Sequence, residues 1–414
     1  MQVTNDTEFI IGIDFDNEET SAFFYNLKTQ DRFDLYILPG SKIIKSAVAI
    51  LEQEGGQTIC VGESAIQNAP FSKDFQLSFW KVPSEMNTIE RNRMVAFMRG
   101  VYAEILNRYP DFKLREHVIY IACHLPYRLL KNEESDYLKI FEDAGLPIAG
   151  IQTKAVAAYF YEERQPASIF RSKGGILIAD FASKYTGFTY FNCHMSQRIE
   201  DVYQFGMSEI EELLLEYALL HPQDSYMTEF AEHYGNHKES IPYNQILFAF
   251  RKAKEIFYAN KLPIFSVQFD YSDLTSAGNF PINGFGGIGI PRVEVESILK
   301  GFIDHVKNAV KAFKNNILGN DNITSCVLIG EGSCMDFVRN ILMDVFHLDE
   351  KQCSACERTS LMVSQGVAYK AYNDIKYPRS FNINFYNNNN MKQITPNTEF
   401  IIGIDFGHGE TSAA

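Results

Sequence analysis

The sequence predicts an α/β fold built by duplication, and three observations carry that expectation. Short apolar, β-branched runs alternate with helix-length amphipathic stretches along the chain. A strand–Asp–turn–Thr–strand unit at residues 8–26 recurs at 175–192, with Asp180 falling on Asp14, Phe181 on Phe15, Thr186 on Thr20 and Asn192 on Asn26. The unit returns once more near the end: residues 395–414 match residues 4–23 at 14 of 20 positions, at one fixed offset of 391. The expected organisation is one whole module made of two halves, followed by the opening hairpin of the next copy.

Taken in order, residues 9–15 are an apolar run that ends in a polar turn and resumes at 21–25, a β-hairpin. Runs 47–51 and 58–62 flank Glu54-Gly55-Gly56 and read as a second hairpin. Residues 94–108 have helical apolar spacing, stopped by Tyr109-Pro110. A buried-type strand at 117–122 leads into a helix at 132–144 that stops at Gly145, and a further helix covers 155–163. After the repeated hairpin come helices at 207–220 and 243–260, a strand at 267–271 and a single long amphipathic helix at 293–316. Strand 325–329 runs into Gly330-Glu331-Gly332, with helices at 335–346 and 360–373 beyond it. The polar run 386–390 is a natural linker.

Composition narrows the classes of function. A chain of 414 residues has room for a large core and two or more lobes. A hydrophobic content of 46% speaks for a folded protein. The net charge of −14 speaks against a nucleic-acid partner, which needs a basic surface. No apolar run is long enough to cross a membrane, and the first residues lack the basic and apolar regions of a signal peptide. Seven scattered cysteines fit a reducing, cytoplasmic setting, and the lone Cys353/Cys356 pair has no second pair to complete a metal site.

These segments together resemble the ATPase domain of the 70-kDa heat-shock chaperones, within the actin-like superfamily. The resemblance rests on residues 121–163, 248–271, 293–346 and 360–373, in the right order and spacing over roughly residues 9–373. It implies an actin-like fold, a duplicated ribonuclease H-like motif with two lobes around a nucleotide cleft. Lobe I would span 1–165 with a subdomain at about 37–114, and lobe II 166–359 with a subdomain at about 226–292. A closing helix at 360–375 would return to lobe I, a linker would cover 376–397, and 398–414 would begin a second, truncated copy.

The resemblance also implies ATP or ADP with magnesium at the cleft floor, clasped by two facing turns. Asp14 takes the position of the carboxylate that holds magnesium through water, or caps a tight turn. Thr20 and Ser21 are placed to donate to phosphate. In the second turn the nucleotide-binding positions fall on Asp180, Ser183, Lys184 and Thr186, with Lys184 either offering a point charge or lying solvated. The water-placing position falls on Thr153, with Gln152 beside it. Lys254 matches an adenine-stacking lysine, Gly330 and Gly332 lie on the ribose side, and Tyr258 either stacks on the base or fills the pocket. Lys73 and Lys81 are looser candidates for a phosphate contact.

Both turns depart from the family pattern. Asp16 and Glu18 put carboxylates where phosphate would sit, and Ala182-Ser183-Lys184 replaces a Gly-x-Gly. Gly187 stands where a second magnesium-side Asp is usual, and Glu331 and Cys334 replace a glycine and an arginine. The reading is a nucleotide-binding module with weak or absent hydrolysis, part of a tandem-repeat protein. The alternative is a pseudo-ATPase scaffold, or a filament-forming or partner-binding protein, that binds no nucleotide in this copy. Self-association or a domain swap through 398–414 is a further expectation.

Overall fold

A computed structural model describes residues 3–4, 6–53, 56–123, 125, 127–165, 174–192, 198–238, 240–270, 285–317, 323–355, 359–376, 404–406 and 411–413. The architecture is α/β, with two mixed sheets of matching topology. The first is ordered β3-β2-β1-β8-β9, from β1 (Phe9–Phe15), β2 (Glu19–Asn26), β3 (Arg32–Asp34), β8 (His117–Cys123) and β9 (Ile148–Thr153), with β4 (Ile43–Lys45) also on β2. The second is ordered β12-β11-β10-β15-β16, from β10 (Gly175–Phe181), β11 (Thr186–Phe191), β12 (Arg198–Tyr203), β15 (Ile323–Ile329) and β16 (Cys353–Ala355). In each, the opening strand pairs antiparallel with its hairpin partner and parallel with a strand far along the chain. The two registers agree: Asp14 lies opposite Ser21 and Asp180 opposite Gly187.

Each half carries an insertion. The first has a small sheet of β5 (Ala47–Gln53), β6 (Gly56–Val61) and β7 (Asp74–Leu77) with helices α1 (Glu63–Asn68) and α2 (Thr88–Arg108). Helix α2 begins six residues before the apolar periodicity does, because Asn87 and Glu90 form a reciprocal capping box. Helices α3 (Tyr127–Asp143) and α4 (Lys154–Glu163) complete this half. The second half has α5 (Ser208–Leu220), α6 (Ser225–Tyr234) and α7 (Ile241–Ala259), then a ribbon of β13 (Ile264–Asp270) and β14 (Phe285–Pro291). The single helix expected at 293–316 is two: α8 (Arg292–Ile298) and α9 (Lys300–Ile317). The break falls at Leu299, beside Lys300-Gly301, where glycine weakens the helix. Helices α10 (Asp336–Phe346) and α11 (Thr359–Lys376) follow, and the terminal strands β17 (Ile404–Phe406) and β18 (Thr411–Ala413) pair with each other.

Each half has its own core, and a third lies between the sheets. There Ile10, Tyr25 and Val118 of the first sheet and Ile176, Ile178 and Val327 of the second pack on Phe160 of α4 and on Met362 and Tyr369 of α11. A fully buried large apolar side chain contributes about 1.5–3 kcal/mol, so this shared core joins the halves. The crossing of α4 and α11 needs Gly366: a Cβ there would stand 1.9 Å from the carbonyl oxygen of Ala157. Among the described residues no helix is long and apolar enough to cross a membrane. Cys356 and most of the linker at 376–397 lie outside the described residues.

Candidate functional site

The ends of β1 and β10 and their turns meet at a buried cluster of charge. Asp14 is fully buried at the end of β1. Lys154, the first residue of α4 and itself buried, pairs with Asp16 and stands 4.0 Å from Asp14 Oδ1. Asp180 sits close enough to add its own charge to Asp14, and its Oδ2 accepts from the Tyr185 hydroxyl at 3.0 Å. Three carboxylates thus face one ammonium. Burial, opposed by Lys154 and reinforced by Asp16, pushes the Asp14 carboxyl up to about 8. Burial likewise raises Asp180 to about 6, against the pull of Lys154. Both Asp14 oxygens, Asp180 Oδ1 and Thr186 Oγ1 are buried without a hydrogen-bond partner.

The turns themselves are tied to the chain. Ser46 Oγ donates to the Asp16 carbonyl at 2.7 Å and lies 2.9 Å from Thr20 Oγ1. Ser21 donates to the carbonyl of Ser360 at 2.7 Å, which fastens the first hairpin to α11. In the second turn, the amides of Met207 and Ser208 donate to the carbonyls of Ala182 and Ser183. Ser183 Oγ bonds Glu331, and Lys184 reaches outward to Glu212 at 3.0 Å.

A second ionic cluster bridges the halves. Glu18, from the first turn, meets Arg251 of α7 at 2.9 Å, and the other side of that guanidinium donates to Glu211 of α5 at 2.9 Å. Lys254, one helical turn on from Arg251, is completely buried. It donates to Glu211, to Glu331 at 2.9 Å and to the Met207 carbonyl at 2.9 Å. Three carboxylates here surround two cations. Burial alone would lower Lys254, but Glu211, Glu331 and Glu18 hold it protonated above the ordinary lysine value. The same balance draws Glu331 down to about 2, against its own burial, while burial raises Glu18. Trp80, the chain's one tryptophan, comes from the first half and lies 5.2 Å from Arg251 and 5.3 Å from Lys184, a cation–π bridge over the same gap. Lys45 adds an outer link, to Glu19 at 2.9 Å and to Glu255 of α7 at 3.5 Å.

Strand register, turns and packing place the remaining sequence candidates. Register puts Gln152 in one row with Asp14 and Ala122, and Thr153 in the next row with Phe15 and Cys123. The Thr153 hydroxyl caps α4 by accepting from the Val156 amide, whereas Gln152 Nε2 is buried without a partner. Gly330 has φ +80, and a Cβ there would meet the Phe181 carbonyl at 2.5 Å and Asp180 Oδ1 at 2.7 Å. A Cβ at Gly332 would meet Phe181 at 2.5 Å. The close approach that these glycines permit is thus made by the second hairpin. The Tyr258 ring packs edge-on to Phe257 and against Phe337. Lys73 and Lys81 form surface pairs with Glu52 and Glu90.

Lys154, Arg251, Glu211 and Trp80 are members the sequence reading did not name. Glu211 had a legible signal, a lone charge within the buried stripe Met207, Ile210, Leu214, Leu215 and Ala218. Lys154 had none: it abuts the water-placing position but reads as the solvated start of a helix.

Taken as a place for a polyphosphate, this donor set does not fit. Lys154, Arg251 and Lys254 are each matched to carboxylates of the chain itself, and the turn hydroxyls of Ser21 and Ser183 are already engaged. Among the described residues no group of three or more His, Cys, Asp or Glu side chains is arranged to hold a metal ion. No protein-family model matches the chain, and no curated protein matches it.

Proposed function

We propose that this chain is an actin-like pseudo-ATPase, of the kind the heat-shock chaperone resemblance suggests, whose interlobe cleft is held shut by its own charges and which acts as a scaffold for a protein partner. The observation that carries the reading is the buried chain Glu18–Arg251–Glu211–Lys254–Glu331, which links the first turn to the second half through side chains 16% exposed or less. A triphosphate entering there would meet Asp16 and Glu331, each already paired with a lysine, beside the buried carboxyls of Asp14 and Glu18. A like-charge contact at ~4 Å costs about 1 kcal/mol in water and several times that in a partly buried site. The matching strand order of the two sheets supports the duplicated ribonuclease H-like ancestry.

A second reading, nucleotide binding with weak hydrolysis, draws on the unpartnered oxygens of Asp14, Asp180 and Thr186. They leave the first cluster short of positive charge, which a magnesium ion held through water would supply. Thermal denaturation with and without millimolar Mg-ATP separates the two. The scaffold reading expects no change in midpoint. Binding at 100 times Kd would stabilise the fold by about 2.7 kcal/mol and would establish the second reading instead.

A further inference from the structure

The terminal strands reproduce the opening hairpin in geometry as well as in sequence. Ile404 pairs with Ala413, Asp405 with Ser412 and Phe406 with Thr411. This is the register of Ile13 with Ala22, Asp14 with Ser21 and Phe15 with Thr20. The place beside β8 in the first sheet therefore has two near-identical candidates in one chain, and more when a second copy of the chain is present. Exchange of an identical element is a low-cost route to swapped assemblies.

Positions at which the two hairpins differ carry contacts to the rest of the fold, beside shared ones such as Ser21, which donates to the Ser360 carbonyl. Asp16, Asn17 and Glu18 correspond to Gly407, His408 and Gly409, and Phe23 corresponds to Ala414. Asp16 pairs with buried Lys154, and Glu18 with buried Arg251. The buried Phe23 ring meets Tyr369 of α11 edge-on at 5.8 Å. The residues held in common, such as Ile10, Ile11, Ile13 and Phe15, supply apolar burial that either hairpin offers equally.

We infer that Lys154, Arg251 and Tyr369 form a recognition surface that accepts the hairpin bearing Asp16, Glu18 and Phe23 and refuses its near-copy from the tail or from a second chain. Seated there, the near-copy would take one carboxylate from each of two buried cations and leave a gap beside Tyr369. Removing one partner of a buried ion pair is strongly unfavourable, as is emptying an aromatic site in a core.

The test lets the two hairpins compete. The full chain is refolded from urea, and amide exchange is followed by mass spectrometry on peptides extending into residues 16–18 or 407–409, which tell the hairpins apart. In the wild type the strands at 9–15 stay protected and those at 404–406 exchange at least 100-fold faster. The tail variant Gly407→Asp, His408→Asn, Gly409→Glu, Ala414→Phe changes no residue of 1–376. In it, a slowly exchanging population should appear at 404–406, matched by an equally large unprotected one at 9–15. Protection of the wild-type tail, or a variant tail that exchanges as fast as the wild type, would overturn the inference.

Discussion

The first and second hairpins share strand order, register and a terminal Asp, yet they close the gap between the sheets with opposite chemistry. The first turn reaches out with charge: Asp16 to Lys154 and Glu18 to Arg251. The second turns inward, capping Asp180 with Tyr185 and packing Phe181 against Gly330 and Gly332, and its Lys184 reaches Glu212 and the Trp80 ring. The contrast shows which part of a duplicated unit is constrained. Strand residues are held by burial on both faces, so they keep their pattern, whereas turn residues answer to whatever the opposite half presents.

That comparison can be broken by experiment. The largest effect is expected at Lys154: Lys154→Met leaves Asp14 and Asp16 without their buried counter-charge and should cost about 3–5 kcal/mol in urea denaturation. Its counterpart in the second turn, Lys184→Ala, removes an exposed pair with Glu212 and a cation–π contact with Trp80, and should change stability by no more than about 1 kcal/mol. Equal losses would mean that the two turns bear equally on the fold.

Titration sharpens the same contrast. Burial raises the Asp14 carboxyl from 3.8 to about 8, so across this window the folded state holds a proton that the unfolded state has released. The unfolded state binding fewer protons, stability falls as pH rises from about 4 to 8. Asp14→Asn should flatten that fall and raise the midpoint at pH 8 by about 3 °C or more, with the gain shrinking toward pH 5. Asp180→Asn should act only over the lower window, from 3.8 to about 6. Thermal scans from pH 4.5 to 8.5 read both. The smallest effect above noise is expected from Thr153→Ala, about 1 kcal/mol through loss of the α4 cap, with no dependence on added Mg-ATP. A nucleotide-dependent change on that substitution would restore Thr153 to a site.

Much of the fold was legible because it follows from periodicity. Alternating strands and helices, the repeated hairpins and the Gly-x-Gly bend after β15 each have local signals. The break at Leu299 does not, since the apolar stripe runs through it and only the neighbouring Gly301 hints at it. The site was half legible. Asp14, Asp16, Glu18, Asp180 and Lys254 stood out by type and position, but their partners are distant in sequence. Arg251 lies 233 residues from Glu18, and Lys154 lies 138 from Asp16. A turn carboxylate looks the same in sequence whether it faces water, a phosphate or a buried guanidinium.

By itself, then, the sequence determined the two-fold repetition of a strand–turn–strand unit, because burial on both faces forces a pattern that local composition reveals. Only the tertiary structure decided what the turns do. Charge compensation acts through space, over a few ångströms, between groups that the chain order keeps far apart.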